Sequence, residues 1–421
     1  MTETTPDYEV RKLDGVLLAL AFALTTIGIL LVFDASYSFA LDHKFALTKY
    51  VDQQAGWGIV GIAALLWASQ YRYWKWRNWA TIGALLSIIA LTAVFIPHIG
   101  VAAKGAHRWV GHGSHRLQPS EFAKLFIVLF IARSCAGNVR IMKHFVTGPG
   151  PGVCATGILA WLTAKEPDLG TALLITGTGF ATLFFAGMKG RHLFAVICCA
   201  VVLVGGVFLM KSGHGQGSYQ MDRILVFLNP EKEKQGDGFQ VYHSTLALGT
   251  GGVAGIGFGQ GREKLDLPEA YTDFIFAVVG EEGGLVAGLV VLTLLCLIVA
   301  RGMHIACTTR DRFGSLVAAG ISFCIGFQAL VNVGVVTASI PATGVPLPFI
   351  SYGGSSLLLS LLMVGILLNI SKYPDGDPAL KQSSKELKSE IDYNRRWRTS
   401  SSPIRAYETE PATRIKKPAA G

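Results

Sequence analysis

Asp273, in the string Tyr271-Thr272-Asp273-Phe274, stands where a long polar stretch meets the apolar run Phe274-Ile275-Phe276-Ala277-Val278-Val279. A carboxylate at the mouth of a membrane span is costly to desolvate, so it marks proton chemistry or transport by default. Glu269 lies four residues earlier, the spacing that puts two side chains on one face of a helical turn; a solvated loop acid is the alternative. Glu281 and Glu282 follow inside the apolar run, with Glu281 about 12 Å from Asp273 at helical rise. They are expected to pair inside a bundle as structural polar groups, with proton handling as the other reading. Asp273 has a structural alternative as well, since Thr272 or Asp273 suits a helix N-cap, and a capped carboxylate is also a fixed one.

These acids need elements to hold them, and composition says which. The chain has 421 residues, 51% apolar and only 15% charged, with a mean hydropathy of +0.44. A soluble domain carries about a quarter charged residues. The fold expected is all-α, a polytopic membrane bundle, because backbone groups in lipid must be satisfied within the segment. Ten apolar runs qualify as spans: 17–33, 55–67, 80–96, 122–135, 152–164, 172–188, 193–210, 274–300, 316–338 and 355–370. The organisation predicted is a cytoplasmic segment 1–14, a membrane domain 15–370 containing an outer loop 211–272, and a basic cytoplasmic tail 371–421 without a core to bury. Residues 1–14 are acidic and polar and no small-residue cleavage pattern follows 17–33, so that run is read as a first permanent span.

Basic residues orient the bundle. Arg72, Lys75 and Arg77, then Arg133, Arg140 and Lys143, then Lys189 and Arg191, then Arg301, Arg310 and Arg312 occupy alternate loops. With Arg11, Lys12 and the basic tail they fall on one side, which puts both termini in the cytoplasm. The seven cysteines lie in spans or near cytoplasmic ends. Their positions speak against a disulfide framework and against a metal cluster; each is read as a small buried hydrophobe.

The outer loops carry the remaining polar candidates. The fourth, 211–272, is far longer than a connection requires. In it the apolar stretch 224–228 suits a membrane surface or a cleft, and 239–248 suits a short helix. Seven glycines in thirteen positions over 249–261 give a backbone able to turn sharply and approach a ligand. The last outer loop has three prolines, Pro341, Pro346 and Pro348, that forbid a regular helix. Non-helical backbone at that depth must be buried by protein or line a wet cavity.

Five strings, in this order, resemble the SEDS family (shape, elongation, division and sporulation; the FtsW, RodA and SpoVE type). They are Gly105-Ala106-His107-Arg108-Trp109, Gln118-Pro119-Ser120-Glu121-Phe122-Ala123-Lys124, Glu166-Pro167-Asp168-Leu169-Gly170-Thr171-Ala172, Pro268-Glu269-Ala270-Tyr271-Thr272-Asp273-Phe274-Ile275-Phe276 and Pro348-Phe349-Ile350-Ser351-Tyr352-Gly353-Gly354-Ser355-Ser356. The match runs from the first span to about residue 370. Two departures stand out: His107 replaces a frequent arginine, and Tyr271 a frequent histidine, so no imidazole role carries over to 271. The resemblance implies ten helices, a peptidoglycan glycosyltransferase working on lipid II at the outer face of the bacterial cytoplasmic membrane, and a class B penicillin-binding protein as transpeptidase partner. Other divisome or elongasome membrane proteins are implied too, and no nucleic acid.

Under that resemblance Asp273 is the general base for the attacking sugar hydroxyl, and Arg108 the best diphosphate ligand, because its fork suits phosphate oxygens. Lys104 and Arg116 assist, and Trp109 either sits in the interfacial belt or stacks on sugar. Glu269, Lys264, Ser351, Tyr352 and Ser355 complete the substrate set; Arg262 and Ser356 stand beside them, with plain solvation as the alternative for Arg262 and Lys264. Glu121 with Lys124, three apart, reads as a helix-stabilising pair, and Asp168 as an N-cap. No cofactor is called; a divalent cation, magnesium or manganese, is left open. The FtsW (division) type is favoured narrowly over the RodA (elongation) type. The rival classes are a lipid-linked sugar flippase and a non-catalytic membrane scaffold.

Overall fold

Apolar runs that leave backbone groups no partner but one another become helices, and nine of the ten predicted spans coincide with helices among the described residues. The computed structural model describes residues 11–42, 46, 48–96, 100–103, 106–112, 115–137, 142, 144–192, 194–195, 198 and 238–377. In chain order come α1 (Gly15–Asp42), α2 (Lys49–Gln70), α3 (Trp76–Ala93), α4 (Pro119–Cys135), α5 (Gly150–Lys165) and α6 (Leu169–Phe185). They are followed by α7 (Phe239–Gly251), α8 (Glu263–Asp266), α9 (Ile275–Thr308), α10 (Arg312–Val336) and α11 (Gly354–Lys372). Among the described residues, four helical segments are by length and composition able to cross a bilayer: Gly15–Tyr37, Ile275–Thr308, Arg312–Val336 and Gly354–Lys372. The predicted span 193–210, the apolar stretch 224–228 and nearly all of the tail lie outside the described residues. The described residues up to Gly376 belong to one compact unit.

The structure is mostly helical, as expected, with one small sheet added to the helices. The segment between α3 and α4, predicted as the second outer loop, forms a three-stranded antiparallel sheet, β1 (Gly100–Ala103), β2 (Ala106–His112) and β3 (His115–Leu117), in that spatial order. Two residues separate each strand pair, Lys104-Gly105 and Gly113-Ser114, the loop length hairpins favour. The cysteine reading also changes: Cys135 and Cys324 are buried, whereas Cys154, Cys198, Cys296 and Cys307 are exposed on the protein surface.

Small residues let helices meet. At Gly365 on α11 a Cβ would lie 2.5 Å from the Leu65 carbonyl of α2, a backbone approach that larger side chains prevent. The glycine-rich stretch after α7 works in the same way, and its partner is α9 rather than a ligand. Helix α9 breaks at Gly284 (φ 64°, ψ −165°), a conformation essentially restricted to glycine. The glycine-rich strand supplies the hydrogen bonds lost at the break. Ile256 and Gly257 N–H donate to the carbonyls of Glu281 and Glu282 (3.1 and 3.0 Å), while Leu285 and Val286 N–H donate to Gly252 and Val253 (3.0 and 3.3 Å). Unmatched groups in a bundle would cost several kcal/mol each.

The proline-containing outer loop, residues 339–353, folds back into the bundle. Gln328 and Asn332 of α10 donate to the carbonyls of Pro346 (2.9 Å) and Val345 (2.8 Å). From α2, Gln54 donates to the Ser351 carbonyl at 3.1 Å and accepts from Gly353 N–H at 3.3 Å. Side-chain amides thus satisfy a backbone that proline bars from helix.

Candidate active site

Asp273 is half-buried in a turn that precedes α9. The helix N-cap is Phe274, with no side-chain cap bond, so the capping alternative for Thr272 or Asp273 fails. Thr272 Oγ1 donates to Asp273 Oδ1 at 2.7 Å, and Asn332 Nδ2 donates to the Asp273 carbonyl at 2.7 Å. The same Asn332 amide holds Val345, so one buried side chain fastens both the aspartate turn and the re-entrant loop. On the other side of the carboxylate lies Gly344 (φ 71°), where a Cβ would sit 3.7 Å from Asp273 Oδ2. Glycine keeps that approach open and tolerates the left-handed backbone. Glu269 also has a left-handed backbone (φ 53°) and lies outside any helix, so it does not share a helical face with Asp273.

The neighbouring strings meet around this turn. Gly170, in the first turn of α6, approaches the re-entrant loop so closely that a Cβ would lie 2.5 Å from the Thr343 carbonyl. Asp168 caps α6 through Thr171 N–H (3.1 Å) and Thr171 Oγ1 (2.9 Å), and accepts from Gln118 Nε2 (2.9 Å). Its N-cap expectation therefore holds. Arg108 on β2 donates Nε to the Glu166 carbonyl at 3.2 Å and Nη2 to the Pro167 carbonyl. Glu166 is buried and neither of its carboxylate oxygens has a partner. Burial pushes its carboxyl up to about 8, with the charge of Asp168 adding and that of Arg108 opposing.

An aromatic wall closes the other flank. Tyr271 packs against Tyr50 and Tyr352 with ring centroids 4.8 and 5.5 Å away, and Phe39 completes the group. Tyr352 N–H donates to the Tyr271 carbonyl at 2.9 Å, and its hydroxyl donates to Gln53 Oε1. Burial pushes the Tyr352 phenol up to about 12, with Tyr50 adding and Arg116 opposing. Burial and a hydrogen bond with Tyr50 hold the Tyr271 phenol well above its ordinary value, which leaves both tyrosines as neutral hydrogen-bonding groups.

Comparison with known proteins bears on this arrangement directly. A family model described as cell cycle protein, that of FtsW, RodA and SpoVE, matches residues 15–375. The chain belongs to this family. A probable peptidoglycan glycosyltransferase FtsW of Geobacter metallireducens is 40% identical over 371 residues, covering 88% of this chain and 97% of the relative. Stage V sporulation protein E of Bacillus subtilis is 38% identical over 364 residues, covering 86% and 97%. Among solved structures, a chain of a peptidoglycan synthase complex, determined for the structural coordination of polymerization and crosslinking, superposes with a TM-score of 0.73 at 26% identity. It covers 87% of this chain and 99% of its own length.

Within this family member, several polar residues stand apart from the Asp273 turn. Lys264, expected at the substrate, is buried and bonded at 2.6 Å to both Asp34 of α1 and Glu282 of α9. Burial lowers its pKa, yet the hydrogen bonds to those two carboxylates dominate and hold the ammonium above its ordinary value. It is an internal ion bridge, and the expected substrate contact is corrected accordingly. Glu281 and Glu282 do not bond to each other; each is held by the backbone of residues 259–263. Glu281 Oε1 accepts from the N–H groups of Arg262 (2.7 Å) and Glu263 (3.0 Å), while Glu282 accepts from those of Gly259 and Gly261 (both 3.1 Å). Opposite charges and backbone donors attract each acid more than a like-charged neighbour can.

Lys124 does bond to Glu121 at 3.0 Å, but inside the bundle, where it also donates to Gln328 at 2.7 Å. Gln328 continues to Pro346 and to Ser356 Oγ (3.4 Å), so this pair supports the re-entrant loop from below. Ser351 is spent on that loop as well, with its Oγ accepting from Leu347 N–H at 2.7 Å, and Ser355 is buried at the start of α11. Trp109 is half-buried on β2 opposite Val101. Lys104 lies outside the described residues. Sequence reading missed Asp34, Gln328, Asn332 and Gly344. Of these, Gln328 and Asn332, polar side chains within an apolar run, and Asp34, an acid directly after one, left a signal.

Proposed function

We propose that this chain is a peptidoglycan glycosyltransferase that polymerises lipid II at the outer face of the bacterial cytoplasmic membrane, with Asp273 as general base. The supporting observation is the fixing of Asp273: one carboxylate oxygen is bonded by Thr272, its backbone is held by Asn332, and the other oxygen faces Gly344. A base so oriented takes the proton of the GlcNAc hydroxyl as that oxygen attacks the anomeric carbon of a second lipid II. A new glycosidic bond forms, the bond to undecaprenyl diphosphate breaks with inversion, and the diphosphate leaves with the electron pair. Arg108, bonded to the Glu166 and Pro167 carbonyls, and Arg116 are the cations for that diphosphate. Arg108 has to exchange its carbonyl acceptors for phosphate oxygens, a stronger pairing for a guanidinium.

Among the described residues the gathered metal-ligating set is His243, Glu263 and Asp266, which does not include Asp273. The donors around Asp273 do not fit a protein-built cation site, so no step is routed through a metal. Magnesium or manganese would have to arrive with the diphosphate. The positive-inside pattern supports cytoplasmic termini. Likeness to a chain of a peptidoglycan synthase complex supports a class B penicillin-binding protein as partner. The FtsW relative favours septal synthesis, with the RodA-type elongation role as the alternative.

The transport reading would use the buried acids as a proton path, whereas Glu282 and Asp34 are bridged by Lys264. Labelled lipid II in vesicles separates the readings. Glycan polymer dependent on the protein is expected; movement of lipid II across the bilayer with no polymer would favour the flippase.

A further inference from the structure

His243 on α7 and Glu263 and Asp266 on α8 bring three metal-ligating side chains together, with one donor atom of each within 4.8 Å of the others. None of them belongs to the Asp273 site. His243 Nδ1 lies 2.7 Å from Glu263 Oε2, and both side chains are 16% exposed, so the cluster is reachable from the outer loop without being loosely solvated. A hydrogen bond that merely fastens α7 to α8 accounts for His243 and Glu263. It does not account for Asp266, which adds a second carboxylate, three residues on, beside the first.

The backbone beneath the cluster is fixed. Glu281 accepts from the N–H groups of Arg262 and Glu263, and Lys264 is locked between Asp34 and Glu282. On α7, Ser244 Oγ donates to the Val336 carbonyl at 3.1 Å. The ring of Phe239 lies 4.2 Å from that of His243, centroid to centroid, and restrains the imidazole. Donors projected from restrained backbone are the prerequisite for tight metal binding.

We propose that His243, Glu263 and Asp266 form a divalent transition-metal site of the kind zinc occupies, on the outer face and apart from the Asp273 turn. One imidazole and two carboxylates suit zinc, with water as fourth ligand, better than they suit the all-oxygen preference of magnesium. Bonds of about 2.0–2.1 Å in a tetrahedron separate ligand atoms by about 3.3 Å. The His243–Glu263 contact therefore opens by about 0.6 Å, and the exposed Asp266 side chain rotates inward. Because Gln240 of α7 also donates to the Pro268 carbonyl at 3.4 Å, the ion clips α7 to the segment that leads into the Asp273 turn. The site is thus a structural or regulatory one, independent of the proposed chemistry.

Purified full-length chain is titrated with Zn2+ against a chromophoric chelator, and its thermal unfolding is followed with and without Zn2+, for wild type, His243→Gln and Asp266→Asn. Glutamine preserves a hydrogen bond to Glu263 and so keeps the fastening of α7 to α8. Wild type is expected to bind one zinc at least tenfold more tightly than either variant, and zinc should raise its unfolding temperature while leaving that of His243→Gln unchanged. Visible absorption of bound Co2+ should appear in wild type and vanish in His243→Gln. Equal zinc affinity in wild type and both variants, or an equal zinc-induced shift in wild type and His243→Gln, would overturn the proposal.

Discussion

Replacing Asn332 by alanine removes both donors that hold the aspartate turn to the re-entrant loop, at 2.7 Å to Asp273 and 2.8 Å to Val345. Asn332 is buried, so water cannot take its place readily. Each carbonyl left without a partner costs roughly 1–3 kcal/mol; because the Asp273 carbonyl is only part-buried, the sum should be roughly 2–4 kcal/mol. A displacement near 1 Å at a catalytic group is worth about 10²-fold in rate. The assay pairs thermal unfolding in detergent with polymer formation from labelled lipid II. Asn332→Ala should melt earlier and polymerise about a hundredfold more slowly. Asn332→Asp, isosteric but without the amide donor, should lose activity comparably. Wild-type melting and wild-type polymerisation in both variants would refute the claim that Asn332 positions the base.

Three further outcomes test the frame around the site. Lys264→Met leaves Asp34 and Glu282 facing each other without their bridge and should cost about 3–5 kcal/mol; adding Asp34→Asn and Glu282→Gln should restore most of it, as read by thermal melting. Gly284→Ala puts a Cβ 2.4 Å from Gly255 N at a backbone conformation closed to alanine, so membrane-inserted protein should be largely lost in a fluorescence-detected expression assay. Glu166 has a folded pKa of about 8 against an ordinary value of 4.5. For an acid raised in this way, the stabilisation is full below 4.5 and is lost as pH rises through 8. Folding stability of the wild type should fall across that window by roughly 3–5 kcal/mol, seen as a lower melting temperature, and Glu166→Gln should flatten the profile.

Much of the frame was legible because it is local. Apolar runs announced nine of the described helices, the short helix at 239–248 showed in its pattern, and Asp273 was conspicuous as an acid beside a span. What escaped depends on partners distant in sequence. Lys264 looked like a substrate cation because nothing near it reveals Asp34, 230 residues away. The glycine-rich run suggested a ligand because the break in α9 that it repairs is invisible in an unbroken apolar pattern. Glu281 and Glu282, adjacent in sequence, suggested a pair, whereas the backbone of residues 259–263 satisfies them separately. The β-sheet is too short and too interrupted by glycine to show an alternating pattern. Nothing near Asn332 in the sequence reveals the two carbonyls it joins, those of Asp273 and Val345.

The most direct test of the central claim is polymerisation of labelled lipid II by purified protein with the proposed transpeptidase partner, comparing wild type with Asp273→Ala at matched folding and partner binding. The account predicts glycan strands from wild type and none from the variant. Glycan strands of ordinary length and rate from Asp273→Ala would contradict it.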